Sequence, residues 1–219
     1  MSRKRMPGES RKNSILQAAR RVFSQRGFEA AKTLDIARAA GVSEALVYRH
    51  FPSKLALYRA VLRALIREQD EMNAKLGVQN QTCQGLVTAL KAYFTFLITP
   101  DPAEREAQQN FRLLLASLAG DGNYALLIYR RAQRIIGPTI QAALLDGRAK
   151  GDIRGESLAF ENTSMFIEHV GIMMSAVSAL PSGGTLYAEQ GDALVRQAVW
   201  FCCRGIGMTD QAIATYFQS

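Results

Sequence analysis

The apolar residues of this chain recur with a helical period almost everywhere, and no stretch keeps the two-residue alternation of a strand. That pattern restricts the fold to all-α. Ile15, Ala19, Val22 and Phe23 fall at i, i+4, i+7 and i+8, which predicts a helix over residues 11–25. Ser10 is placed to cap it, and Gly27 follows its end. A short helix is predicted over 33–39 with Thr33 as the capping hydroxyl, then a turn at Ala40-Gly41-Val42-Ser43, then a second short helix over 44–50 capped by Ser43. Pro52 suits the first turn of a long helix reaching residue 76. In it Leu55, Tyr58, Leu62, Leu65 and Ile66 make one stripe and Leu57 and Val61 a second, as in a helix shared by two packing units. Further helices are predicted over 83–98, 103–119, 124–147, 157–179 and 188–204, with a short amphipathic end over 209–217. Pro- and Gly-rich breaks separate them. Pro138 lies inside the 124–147 helix, where proline is expected to produce a kink.

Composition excludes several classes. A chain of 219 residues suits one large or two small domains. Its three cysteines, Cys83, Cys202 and Cys203, form no paired framework and no zinc spacing, so a reducing compartment fits best. Buried inert thiols are the expectation for Cys202 and Cys203 rather than a redox switch. The opening MSRKRMPGESRKN is basic and lacks the apolar core of a signal peptide. The longest apolar run, Val170 to Leu180, falls short of the roughly 20 residues a membrane span needs. A cytoplasmic protein without membrane contact is expected.

Charge is unevenly placed. Up to Arg67 the chain carries fifteen Lys/Arg against four Asp/Glu, a net of +11; the remainder carries twelve against fifteen, a net of −3, and the two make the whole-chain +8. The first third therefore favours a polyanionic partner, although a basic patch alone also serves as a solubilising surface. The local pattern decides between these. Residues 33–50 read as helix, glycine turn, helix, at helix-turn-helix lengths. Ala37 is small where the two helices cross. Ile36 and Val42 are apolar where the unit rests on a supporting helix, and Leu46 or Val47 anchors the second helix. Ser43, Glu44, Tyr48, Arg49 and His50 remain outside. Such a helix fits the major groove and presents its N-terminal side chains to base edges. Thr33, the free N–H groups at its helix start, Tyr48, His50 and Lys54 are placed to hold phosphates.

On these residues the chain resembles a known family. Ile15-Leu16, Ala18-Ala19, Phe23, Gly27-Phe28, Asp35-Ile36-Ala37, Ala40-Gly41-Val42-Ser43, Tyr48-Arg49-His50-Phe51-Pro52-Ser53-Lys54, Leu57 and Ala60-Val61 look like the DNA-binding domain of tetracycline-repressor (TetR) family transcriptional regulators. The match covers about a quarter of the chain. The Gly-Val-Ser turn followed by Tyr-x-His-Phe-x-x-Lys is its specific part. The resemblance implies a homodimer with a variable helical ligand-binding domain, usually repressing transcription and releasing a palindromic operator when a small-molecule effector binds. It implies phosphate contacts at Lys32, Thr33, Tyr48, His50 and Lys54, and base reading at Leu34, Glu44, Ala45, Tyr48 and Arg49. Ala45 and Leu46 stand where many members have Gly and Thr, and Leu46 cannot hydrogen-bond a phosphate. Ala31 lacks the hydroxyl often found at its position.

Each assignment has a plainer rival. Tyr48 can pack on the first helix, its hydroxyl still reaching out. His50 can be a satisfied structural histidine. Arg49 suits guanine bidentately, or a phosphate. Arg3-Lys4-Arg5 and Arg11-Lys12 suit a minor-groove arm, or a solvated tail. The domain reading is a basic arm over 1–10, a helix-turn-helix domain over 11–55 and a helical effector-binding and dimerisation domain over 56–219.

Candidate effector contacts are Tyr93, Phe96, Phe111, Tyr129, Met165, His169 and Met173, of which the last three lie at i, i+4 and i+8 on one helix face. The 157–179 and 188–204 helices are the dimer candidates through Phe166, Gly171, Ser175 and Trp200. The alternative is burial of these residues inside one subunit. No metal or cofactor is expected: Glu168 and His169 are adjacent and diverge by about 100° on a helix. No nucleophile–base pair, paired carboxylates or phosphate-cradling glycine loop supports an enzyme. The other rival is a non-specific nucleic-acid binder.

Overall fold

The computed structural model describes residues 8–76, 80–99, 113–120, 122–178, 180 and 186–218. They form α1 (Gly8–Ala30), α2 (Thr33–Ala40), α3 (Glu44–His50), α4 (Lys54–Leu76), α5 (Cys83–Ile98), α6 (residues 113–118), α7 (Asn123–Lys150), α8 (Phe160–Ser178), α9 (Gly191–Gly205) and α10 (Asp210–Gln218). The all-α expectation holds. The chain divides into two compact units, which part between Asp70 and Glu71.

The first unit comprises residues 8–70 with 113–120 and 122–125, so it takes in most of α4 beyond residue 55. Its core is the helical stripe of α1 (Ile15, Ala18, Ala19, Val22 and Phe23) closed by Ile36 and Ala37 of α2, Val47 of α3 and Leu57, Tyr58, Val61 and Leu65 of α4. Full burial of a side chain such as Phe23 or Leu57 stabilises the unit by about 1.5–3 kcal/mol. The stripe predicted through Leu55 is rotated: Leu55 is exposed, and the inward face of α4 runs through Leu57, Tyr58, Val61 and Leu65. Phe23, Phe28 and Tyr58 meet ring to ring, with centroids 4.8–6.2 Å apart. Arg20, itself buried, reaches Glu68 at 3.1 Å.

Three helix starts differ from the sequence reading. Helix α1 begins at Gly8, so Ser10 lies inside it rather than capping it. Thr33 is the first helical residue of α2; Lys32 holds the cap position in extended conformation and gives no side-chain capping bond. The Thr33 side chain is buried and engaged elsewhere, which leaves it unfit as a cap. Helix α4 starts at Lys54, and Ser53 caps it by accepting from the Ala56 N–H at 3.0 Å. Other signals hold. Gly27 breaks the first helical run at φ 70, and Gly41 sits at φ 65, ψ 34. A side chain would meet nothing within 4 Å at either glycine, so the backbone angle alone calls for it.

The second unit comprises α5, α8, α9, α10, α7 from Leu126 onward and the end of α4. Helix α5 is its axis, packed by α8, α9 and α10. Leu86, Val87, Leu90 and Phe94 of α5 join Val195, Val199 and Cys203 of α9 and Ile213 of α10 in one cluster. Helix α7 runs on through Pro138 and through Gly147, where a stop was predicted. Gly147 marks a close approach instead: a Cβ there would lie 2.7 Å from Ile153 and 2.8 Å from the Cys83 sulfur. An antiparallel bridge between Ile153 and Met208, and a 2.7 Å bond from the Tyr216 hydroxyl to Asp152, tie the C-terminal segment down.

Two outcomes follow. Gly41→Ala forces a left-handed angle on an L side chain and should cost about 1 kcal/mol or more in urea unfolding, with the denaturant slope unchanged. All three cysteines are buried free thiols, and burial pushes Cys83 up to about 11 and Cys202 and Cys203 up to about 12. The native protein should therefore resist Ellman's reagent at pH 8 and release all three thiols only in denaturant.

Candidate nucleic-acid interface

The interface candidates all belong to the first unit, and local chemistry sets their directions. Gly41 reverses the chain after α2, its N–H and that of Val42 closing onto the carbonyls of Arg38 and Ala37. Ser43 then caps α3, its hydroxyl accepting from the Leu46 N–H at 3.2 Å. That fixes the phase of the seven-residue helix. Val47 turns inward and is 1% exposed, so Val47 rather than Leu46 is the anchor; Leu46 is half-buried. Ala45, Tyr48 and Arg49 are exposed, with Glu44 and His50 partly so. At 1.5 Å per residue α3 is a rod about 10 Å long, and a helix about 10–12 Å across fits a major groove about 12 Å wide.

Around the rod stand the predicted phosphate groups. Helix α2 starts without a side-chain cap, so its first N–H groups and the positive end of its dipole stay open beside exposed Lys32 and Leu34. The one acid in that first turn, Asp35, is held by the Arg26 guanidinium. The Tyr48 hydroxyl donates to Thr33 Oγ1 at 3.2 Å, which links α3 to the start of α2. The hydroxyl is thus bonded within the chain, to α2 rather than to the first helix, while the residue remains 46% exposed. Among the described residues the side chains of Lys32, Arg49 and His50 have no hydrogen-bond or ion-pair partner. Lys54 differs. Its ammonium donates to the Glu29 carbonyl at 3.0 Å and lies 4.6 Å from the centre of the Phe28 ring. Two of its three hydrogens remain for a phosphate. Ser43 is likewise committed to its cap.

The effector candidates lie in the second unit, except Phe111, which is outside the described residues. Phe96 is buried and Met165 partly so, while His169 and Met173 are exposed, so the predicted i, i+4, i+8 face of α8 turns outward. The Tyr129 ring stands edge-on to His169 at 5.6 Å. The inward group of that turn is Glu168, which the sequence reading set aside. It receives the Tyr93 hydroxyl at 2.9 Å. Burial holds the Glu168 carboxyl above its ordinary range; burial, then the Glu168 charge, does the same to the Tyr93 hydroxyl.

The dimer candidates separate. Gly171 is packed against Tyr93 and Leu97 of its own chain, where a Cβ would come within 2.6 Å, and Ser175 is 3% exposed. Those two satisfy the intrasubunit alternative. Trp200 is partly buried between the guanidinium groups of Arg196 and Arg204. Phe166 is 59% exposed, and Phe201, beside Trp200, is 67% exposed. Among the described residues no cluster of His, Cys, Asp and Glu is placed to hold a metal ion, and no helix is long and apolar enough to cross a membrane.

Residues 15–61 match the family model described as bacterial regulatory proteins, tetR family. The chain is 39% identical over 97 residues to the HTH-type transcriptional activator FasR of Mycolicibacterium smegmatis, covering 42% of this chain and 43% of that protein. It is 47% identical over 57 residues to the HTH-type transcriptional regulator RutR of Escherichia coli, 26% of this chain and 27% of that one. The matches thus span less than half the length of these curated relatives. Among solved structures, a tetR-family regulatory protein from Rhodococcus RHA1 shares the fold over 91% of this chain and 98% of its own, at TM-score 0.67 and 20% identity. AibR, solved in complex with isovaleryl coenzyme A and operator DNA, shares it over 91% and 100%, at TM-score 0.64 and 15% identity. Residues 15–61 thus carry a helix-turn-helix sequence similar to that of the tetR family of bacterial regulatory proteins, and the chain shares its fold with solved structures of that description.

Proposed function

We propose that this chain is a homodimeric, sequence-specific transcriptional regulator, acting as a cytoplasmic repressor that leaves a palindromic operator when a small molecule binds its second unit. The observation that carries the reading is the α3 surface: a capped, singly anchored rod with Tyr48 and unpartnered Arg49 outward, flanked by the open start of α2 and by Lys32. Arg49 reads a guanine edge, with Leu34, Glu44, Ala45 and Tyr48 lining the same groove. Lys32, Thr33, His50 and Lys54 hold phosphates, and Ser43 serves by fixing the rod. AibR, whose fold is shared, has been seen with both an acyl-coenzyme A and operator DNA, which makes ligand control a natural reading here.

A second copy is needed because one short rod reads too little sequence. Two-fold symmetry sets paired rods about 34–36 Å apart, or a multiple. The surface that supports pairing is the outward side of α8 and α9. Phe166 and Met173 are exposed two helical turns apart on α8, and Phe201 stands out on α9. Helices α4 and α7 each contribute residues to both units, so they are the covalent routes by which effector binding changes the DNA-binding unit. A coupling of roughly 1–3 kcal/mol changes operator affinity several-fold to a hundredfold.

Titration against operator selected from random duplexes, at fixed salt, separates this reading from non-specific binding. Both kinds of binding weaken with salt, but only a regulator prefers its site by a factor of about 10³ or more. Arg49→Ala should lower operator affinity by roughly tenfold to a hundredfold and relax preference at one base pair per half-site. Unchanged affinity and preference would remove Arg49 from base reading. Phe166→Asp combined with Phe201→Asp should give a monomer in sedimentation equilibrium, with helical content kept and tight operator binding lost.

A further inference from the structure

Glu168 is an acid in an unusual place. It lies on α8 among α5 and α7, at a depth where the surrounding helices desolvate its charge, yet it keeps part of its surface accessible. Among the described residues no Lys, Arg or His pairs with it, and its one hydrogen-bond partner is the Tyr93 hydroxyl at 2.9 Å. Tyr93 is itself held in place, since its ring and hydroxyl occupy the room that a side chain at Gly171 would need. Close by on α7, the Tyr129 hydroxyl is buried with no partner among the described residues, and its ring meets His169 of the next α8 position. A buried hydroxyl without a partner is costly, and a buried carboxylate without a counter-charge more so. An acid without a counter-charge, the tyrosine bonded to it and a second tyrosine with an unpartnered hydroxyl thus stand together on α8, α5 and α7.

Building on the effector-responsive reading above, we propose that Tyr93, Tyr129 and Glu168 form the polar end of the effector site and select a ligand with a protonated amine on an apolar body. The ammonium supplies the charge that Glu168 lacks and donates to its carboxylate. Another of its hydrogens finds the Tyr129 oxygen, and the ring faces of the tyrosines favour a cation over an anion. A carboxylate ligand would instead meet a like charge, and an alcohol would leave Glu168 unbalanced.

The test uses the full chain and three probes of matched length: octylamine, octanol and octanoate, titrated by calorimetry. Octylamine should bind at least about tenfold more tightly than either of the others, the ratio expected of one desolvated charge-assisted contact. Glu168→Gln should bring octylamine to within about threefold of octanol while leaving octanol unchanged; Glu168→Asp should keep the order. Tyr129→Phe should weaken octylamine several-fold. If Glu168→Gln does not fold, the wild-type order and the Asp variant decide. Octanol or octanoate binding as tightly as octylamine, no octylamine binding at millimolar concentration, or a preference surviving Glu168→Gln overturns the proposal. Operator titration of the same wild-type sample keeps the two readings apart. Site-specific DNA binding without amine preference sinks only this inference, and loss of specific DNA binding sinks the regulator reading while the amine ratio still reports on the pocket.

Discussion

The helix-turn-helix unit depends on one backbone constraint, the left-handed turn at Gly41. It brings the chain out of α2 so that Ser43 can cap α3, and the cap sets the rotation of a helix only seven residues long. A helix this short has little stability of its own. It is held by a single buried side chain, Val47, and by the bond from Tyr48 to Thr33. With one inward anchor, most of the remaining positions are free to face outward. The same economy makes the surface sensitive: a change in the turn would rotate every outward residue of α3 at once.

Around that turn, polar groups do two tasks. Lys54 neutralises the carbonyl end of α1 at Glu29 and covers Phe28, so a cation assigned to phosphate also fastens the first helix. Asp35 favours the start of α2 by its charge, yet Arg26 holds it and offsets that charge next to the surface proposed to take phosphates. The positive excess of the first third is therefore partly spent on internal contacts. The residues left unpartnered, Lys32, Arg49 and His50, are a better guide to the interface than net charge.

How much could be read from sequence followed from how local each cause is. The bounds of α3, the cap at Ser43 and the turn at Gly41 rest on neighbouring residues, and the sequence reading placed them as the structure does. The cap of α2 was misplaced because Thr33 looks like a capping residue, and only tertiary structure shows its hydroxyl taken by Tyr48. Gly147 reads as a helix stop, yet its reason is the nearness of Ile153 and Cys83, residues far from it in sequence or beyond the turn. On α8 apolar residues lie on nearly every side, so periodicity could not tell the inward face from the outward one. The Met165, His169 and Met173 row was chosen, and Glu168 faces inward.

The bond between Tyr48 and Thr33 also bears on timing. Under the proposed function, two hydroxyls that a phosphate could otherwise find spinning are oriented before any duplex arrives, so their loss of rotational freedom is incurred when the chain folds. Encounter rates, governed by long-range charge, should scarcely register this. It should instead lengthen the dwell of the protein on its site.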